Sequence, residues 1–247
     1  MNSLLTDVTA IEPVEAFGRV AAVRGLLIEV AGPLHLMGVG ARLTVEASGG
    51  RRLGVEVIGF EGGRALCLPF GPLDGVRMGC RAVITAAEET IRPSDRWLGR
   101  VINALGEPID GKGPLPTGPF SRQVKAAPPP ASERARVGDR IGFGVRALDT
   151  FVTCCRGQRL GIFAGSGVGK SVLMSMLARY ATCDVAVIGL VGERGREVQE
   201  FIEDDLGEDG LARSVVVVAT SDEPALMRRQ AAFLTLAVAE HFRDEGR

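Results

Sequence analysis

With 247 residues, 46% of them hydrophobic and 24% charged, the chain has the make-up of a soluble globular protein and room for one large domain or two smaller ones. Its 29 basic and 30 acidic side chains leave a net charge of −1, and aromatics are only 5%. That argues against a dedicated nucleic-acid binder, which needs a basic field and stacking rings.

At the N-terminus, Asp7, Glu12 and Glu15 stand where a signal peptide would carry cations. No apolar run approaches the ~20 residues that span a bilayer, so a cytoplasmic protein is expected. Leu4, Val8 and Ile11 share one helical face before Pro13 stops the pattern; a partner-docking segment and a frayed terminus fit equally well. From about residue 17 to 88 the chain reads as short strands broken by glycine. Arg42 to Ala47 alternates, with Leu43, Val45 and Ala47 on one face. Leu26 to Val30, Gly54 to Phe60, Arg64 to Pro69 and Cys80 to Ala86 complete the set, with Glu61-Gly62-Gly63 as a hairpin turn. Even spacing of such strands predicts a small β-barrel.

Residues 89–145 carry no strong period. Pro93, Pro108, Pro114, Pro116 and Pro128 to Pro130 mark them as a long extended connection. Cys154 and Cys155 read as packing residues, and the five cysteines, with no Cys-x-x-Cys pair and two histidines, as reduced thiols with no zinc site.

Beyond residue 159 strands and helices alternate. Arg159 to Ala164 is an apolar run of the kind a buried parallel strand shows. It leads into Ala164-Gly165-Ser166-Gly167-Val168-Gly169-Lys170-Ser171, a phosphate-binding loop of the Walker A pattern with Ala164 in place of the first glycine. Val172, Leu173, Met176 and Leu177 then recur at helical spacing. The chemistry needs this composition. Glycines let consecutive amides curl round phosphate oxygens, the helix N-terminus adds partial positive charge, Lys170 supplies a mobile cation, and the Ser171 hydroxyl is a hard-oxygen ligand suited to Mg²⁺.

Asp184 to Val191 and Ser214 to Ala219 are further strand candidates, with Val198, Phe201, Ile202 and Leu206 on one helical face between them. Glu193, just past the first of these strands, is on its own residues either a solvated loop carboxylate or a catalytic one. Ser221-Asp222-Glu223-Pro224 opens a last helix with an acidic first turn, expected to run through Leu226, Phe233, Leu236 and Val238 to Phe242. Such a sheet calls for one more strand carrying an aspartate, and none follows Gly246. The 247-residue chain alone is therefore expected to bind nucleotide weakly at best and to hydrolyse it negligibly.

Three segments carry a family resemblance. Gly99 to Pro114 is similar to the hallmark stretch of rotary-type ATPases, which include the ATP synthase α and β subunits. Gly144 to Asp149, followed by Arg156 to Arg159, leads into the phosphate loop as it does there. Gly192-Glu193-Arg194-Gly195-Arg196-Glu197 resembles the segment with that family's catalytic glutamate. Within the group, the wording of the loop and of Ala219-Thr-Ser-Asp-Glu-Pro224 resembles the flagellar and type III secretion export ATPases.

The resemblance implies a mixed fold: an N-terminal segment over 1–17, a small β-barrel over 18–90, and a RecA-like α/β P-loop ATPase domain with a parallel sheet over 91–247, cut short at its C-terminus. It implies an ATP- and Mg²⁺-binding site made of Ala164, Gly165, Ser166, Gly167, Val168, Gly169, Lys170, Ser171 and Val172, with Ser171 on the metal. Lys170 would neutralise charge on the γ-phosphoryl group, Glu193 would polarise the attacking water, and Arg194 would support them. It further implies a homo-hexamer, a stator-like regulatory protein on the N-terminal segment, and dealings with export-gate components, chaperones and exported proteins. No nucleic acid enters, and contact with the membrane is peripheral at most. Flagellar export is the favoured reading. A virulence type III ATPase and a rotary ATP synthase catalytic subunit are its neighbours; a Rho-like RNA translocase and a non-catalytic assembly fragment are readings of another class.

Overall fold

The computed structural model describes residues 15–86, 89–165 and 167–247. The helical face of Leu4, Val8 and Ile11 and the loop residue Ser166 lie outside the described residues. The chain divides into two compact units between Glu89 and Thr90.

The first unit is built from β1 (Phe17–Arg24), β2 (Leu27–Ala31), β3 (Arg42–Glu46), β4 (Arg52–Glu61), β5 (Arg64–Pro69) and β6 (Arg81–Ala86). They close into an antiparallel barrel in the order β1-β2-β5-β4-β3-β6, which leaves no sheet edge open. Alternation along the strands fills the interior: Leu43 and Val45 are 1% and 0% exposed, and Ile28, Val30, Val55 and Val57 join them there. The β4–β5 hairpin turns on Gly62 and Gly63, both at positive φ (55° and 74°), with Glu61 opposite Arg64. Two consecutive left-handed residues match the twist of the strands they join, and glycine adopts them without strain.

The second unit runs through β7 (Thr90–Ile91), β8 (Arg100–Asn103), β9 (Arg122–Gln123), β10 (Arg140–Ile141), α1 (Arg146–Phe151), β11 (Cys154–Cys155), α2 (Lys170–Tyr180), β12 (Ala186–Val191) and α3 (Gly195–Glu200). A π-helical turn (Phe201–Leu206), α4 (Gly207–Ala212), β13 (Ser214–Ala219) and α5 (Ala225–Asp244) complete it. Its centre is a parallel sheet, β12-β13-β8, in which every residue of β13 is buried. On one face Ile188, Val216 and Val218 pack with Ala178 of α2 and with Val198, Phe201 and Leu206. On the other, α5 lies against β12 and β13. Gly189 permits this close approach, because a Cβ there would sit 2.7 Å from the Thr235 hydroxyl.

Three expectations need correction. The stretch 89–145 is more than a connection: Arg100–Asn103 pairs with β13 in parallel register from Val215↔Arg100 to Val218↔Asn103. Four residues are too few to show a period, and their place is set by a tertiary clasp. The Arg100 guanidinium donates through Nε to Asp110 at 2.6 Å and through Nη2 to Asp110 at 2.9 Å and to the Gly113 carbonyl at 2.6 Å.

The apolar run 159–164 forms no strand. Pairing needs a neighbour, and between Leu160 and Ile162 on one side and Val187 to Leu190 of β12 on the other lies a cavity of about 360 Å³. Phe163 is accordingly 97% exposed. Finally, Pro224 itself is the N-cap of α5, with no acidic residue in the first turn. Phe233 and Leu236 lie on its outer side, 39% and 63% exposed, while Met227, Gln230, Ala231, Leu234, Ala237 and His241 are buried.

Candidate phosphate-binding site

The loop before α2 takes its shape from two glycines. Gly167 and Gly169 have φ of 76° and 92°, a left-handed conformation that side chains with a Cβ rarely adopt. The second of these turns delivers Lys170 as the first residue of α2 and Ser171 as the next, with the Leu173 amide donating to the Gly169 carbonyl at 3.0 Å. That helix start has no side-chain cap and no acidic residue in its first turn. Its free amides and dipole therefore face outward as an anion site.

The loop encloses a cavity of about 580 Å³ lined by Ala164, Gly165, Gly167, Gly169, Lys170, Ser171, Val172, Glu193 and Glu197. An added Cβ at Gly165, Gly167 or Gly169 would meet no atom within 4 Å and would project into open space. The backbone is thus bared toward the volume a ligand would fill. Val168 and Val172 are 67% and 53% exposed.

Glu193 enters from the sheet. Gly192, at φ 81°, turns the chain out of β12 and donates its amide to the Ala219 carbonyl at 2.7 Å. The Ser221 amide donates to the Glu193 carbonyl at 2.9 Å. The ends of β12 and β13 therefore hold the Glu193 backbone, and its side chain reaches Lys170, Nζ to Oε1 at 3.3 Å. The two side chains are 46% and 35% exposed.

Arg194 is the N-cap of α3. Its guanidinium lies 3.6 Å from Glu197, and its own amide donates to Glu197 at 3.4 Å. Glu197 lines this cavity and Arg194 does not. The structure thus brings Lys170, Ser171 and Glu193 together, sets Arg194 to one side, and adds a carboxylate that the sequence reading overlooked. No local signal marks it, because Glu193 precedes the N-cap Arg194 while Glu197 lies in the first turn of α3, so no shared helical face joins them.

One ammonium and two carboxylates line a space bordered by a helix N-terminus. The hydroxyl of Ser171 and the carboxylates are hard oxygens of the kind a small divalent cation takes, and such a cation would offset the carboxylates against an incoming polyphosphate. The neighbouring cavity of about 360 Å³ shares Lys170, Ser171, Glu193 and Glu197 and is otherwise mainly apolar, with Leu160, Ile162, Met174 and Phe201.

Comparison with known proteins agrees with this geometry. Residues 20–86 match the β-barrel domain of the ATP synthase alpha/beta family, and residues 144–247 match that family's nucleotide-binding domain. The flagellum-specific ATP synthase of Caulobacter vibrioides is 60% identical over 245 residues, covering 99% of this chain and 55% of that protein. The type 3 secretion system ATPase of Xanthomonas euvesicatoria is 44% identical over 230 residues, covering 93% and 52%. The chain spans about half the length of the curated relatives it matches. Among solved structures, the assembled ATPase EscN of the enteropathogenic E. coli type III secretion system superposes with a TM-score of 0.83 at 40% identity, over 93% of this chain and 54% of that one. EscN in complex with its central stalk EscO gives 0.84 at 40% identity, over 93% and 55%.

Proposed function

The chain belongs to the ATP synthase alpha/beta family, and from that premise we propose that it is the nucleotide-handling part of an ATPase that energises protein export through the bacterial flagellar apparatus. The observation that carries the reading is the meeting of Lys170, at the left-handed turn into α2, with Glu193, at the end of β12, around one phosphate-sized cavity. The 60% identity to a flagellar relative, against 44% to the type 3 secretion ATPase, favours flagellar over virulence export.

The reaction is transfer of the γ-phosphoryl group of ATP to water. The loop amides and Lys170 bind and orient the phosphates. Ser171 would hold Mg²⁺, which supplies positive charge against the phosphate oxygens when bound. Glu193 orients the attacking water and takes its proton; Arg194 acts through Glu197, whose carboxylate it steadies. In the chain as it stands Lys170 and Glu193 are open to water, which screens their charges, so slow turnover is expected. By likeness to assembled EscN and its complex with a central stalk, the working form is an oligomer with a stalk partner, which the family resemblance makes a homo-hexamer. The N-terminal residues would dock a stator-like regulator, and the ring would handle chaperones and exported proteins at the export gate. Among the described residues no helix is long and apolar enough to cross a membrane, which agrees with a cytoplasmic protein at most peripheral to the membrane's inner face.

The test is calorimetry of Mg-ATP binding to the chain and to Lys170→Ala, with phosphate release followed in the same samples. The expected result is saturable binding in the first and none in the second. Equal binding by both would remove Lys170, and this reading, from the site.

A further inference from the structure

The two side chains on which the proposed reaction depends are bound to each other. Lys170 Nζ and Glu193 Oε1 stand 3.3 Å apart, in a cavity whose only other ionisable lining residue among the described residues is Glu197. Glu197 has its own partner in Arg194, so among the described residues lining the cavity Lys170 is the cation that answers Glu193. An ammonium shared between a carboxylate and a polyphosphate would draw two anions together, and their repulsion in a partly enclosed space opposes that arrangement.

We propose that the Lys170–Glu193 ion pair is a substrate-operated latch: the terminal phosphates of the nucleotide take Lys170 from Glu193, and the released carboxylate is thereby set free to hold water. The inference rests on reading the cavity as a nucleotide site and adds an order of events within it. While Lys170 holds Glu193 Oε1, that oxygen is not open to a water molecule, so the whole carboxylate becomes available only when phosphate has drawn the lysine away. Anchoring of Glu193 through its backbone, by the Ser221 amide, lets the side chain swing while the main chain stays put. The latch also sets affinity, because every nucleotide must first compete with a resident carboxylate.

Two readouts test this on the whole chain. The first is binding of the non-hydrolysable analogue AMP-PNP with Mg²⁺ to the parent chain, Glu193→Gln and Glu197→Gln. Losing a half-exposed ion pair should tighten binding to Glu193→Gln about two- to fivefold. Glu197→Gln removes the same charge from the same cavity without touching the pair and should not match that gain. The second is acylation of lysine amines in ligand-free protein, mapped by mass spectrometry. Lys112, Lys125 and Lys170 are the chain's lysines, so two of them serve as internal references. Pairing holds the Lys170 amine against Glu193 and restrains its approach to a reagent; Glu193→Gln should speed its acylation about two- to fivefold relative to the others. Unchanged affinity and unchanged Lys170 reactivity in Glu193→Gln would overturn the latch, as would an equal gain in Glu197→Gln. Absence of AMP-PNP binding in all three proteins would instead overturn the nucleotide reading itself, and the latch with it.

Discussion

Replacing Asp110 by alanine tests whether the clasp around β8 holds the parallel sheet together. The Arg100 and Asp110 side chains are 10% and 6% exposed. Besides two bonds from the guanidinium, the Asp110 carboxylate accepts the Val101 amide at 3.1 Å and the Lys112 amide at 3.0 Å. Truncation leaves a buried guanidinium and two amides short of partners, a class of loss that costs about 3–5 kcal/mol. Because Arg100 keeps the Gly113 carbonyl at 2.6 Å, the lower end applies, about 3 kcal/mol. With a urea slope of about 2 kcal/mol per molar, the unfolding midpoint should fall by about 1.5 M.

Trp97 is a built-in reporter for this measurement. It is the sole tryptophan, 5% exposed, in the same unit, with its indole N–H donating to the Pro116 carbonyl at 2.8 Å. Urea titrations followed by its fluorescence therefore read the second unit alone. The hydrogen bonds from the Arg100 guanidinium, reinforced by those of the two amides, hold the Asp110 carboxyl well below the usual carboxylate range. A depressed folded-state value means that the stabilisation is complete above the unfolded value of about 3.9 and is lost as pH falls through the folded one. The gap between parent and Asp110→Ala should accordingly be widest near neutrality and shrink in acid. The double variant Arg100→Met/Asp110→Leu should recover at least about 1 kcal/mol over Asp110→Ala, because no charge is left stranded. A midpoint shift below about 0.5 M, or a double variant as weak as its two singles summed, would refute the clasp as a stabilising element.

Gly169→Ala should weaken Mg-ATP binding at least about fivefold by calorimetry, since a residue forced to φ 92° carries about 1–3 kcal/mol of strain at the turn that positions Lys170. His241 on α5 is 4% exposed, with Nε2 unpartnered and its ring edge-on to Phe242 at 5.1 Å. Desolvation lowers its pKa, with Arg122 acting the same way and Glu245, Asp95 and Asp244 opposing. The unfolded chain then binds the extra proton first, so stability is full above about pH 6.5 and declines as pH falls through the depressed value. The Trp97-monitored midpoint should drop between pH 7.5 and 5.5 and drop less in His241→Leu; equal drops in both proteins would show that His241 is not the titrating group.

What could be read from the sequence, and what could not, divides along a physical line. The shape of the loop before α2 was legible because it is a property of single residues: Gly167 and Gly169 sit at positive φ, and the need for glycine there is written at those positions. The barrel was legible because Leu43 and Val45 alternate with polar neighbours, the signature of a strand with one buried face. The parallel sheet was legible in β12 and β13, expected over 184–191 and 214–219 and found at Ala186–Val191 and Ser214–Ala219, and resisted at its other members. Arg159 to Ala164 has the composition of a buried strand, yet a ladder is made by two partners, and no property of Leu160 or Ile162 records whether β12 stands one strand-spacing away. The converse error was β8, whose Val101 and Ile102 look unremarkable among prolines until Asp110, nine residues beyond Val101, fixes them beside β13. Glu197 belongs to the same class as β8. Its residue type is common on helices, and only the tie to Arg194 and the turn at Gly192 bring it to the phosphate cavity. A loop whose turns are each dictated by local backbone demands can therefore be read from a sequence, whereas the carboxylates that line its cavity depend on neighbours that only the folded chain supplies.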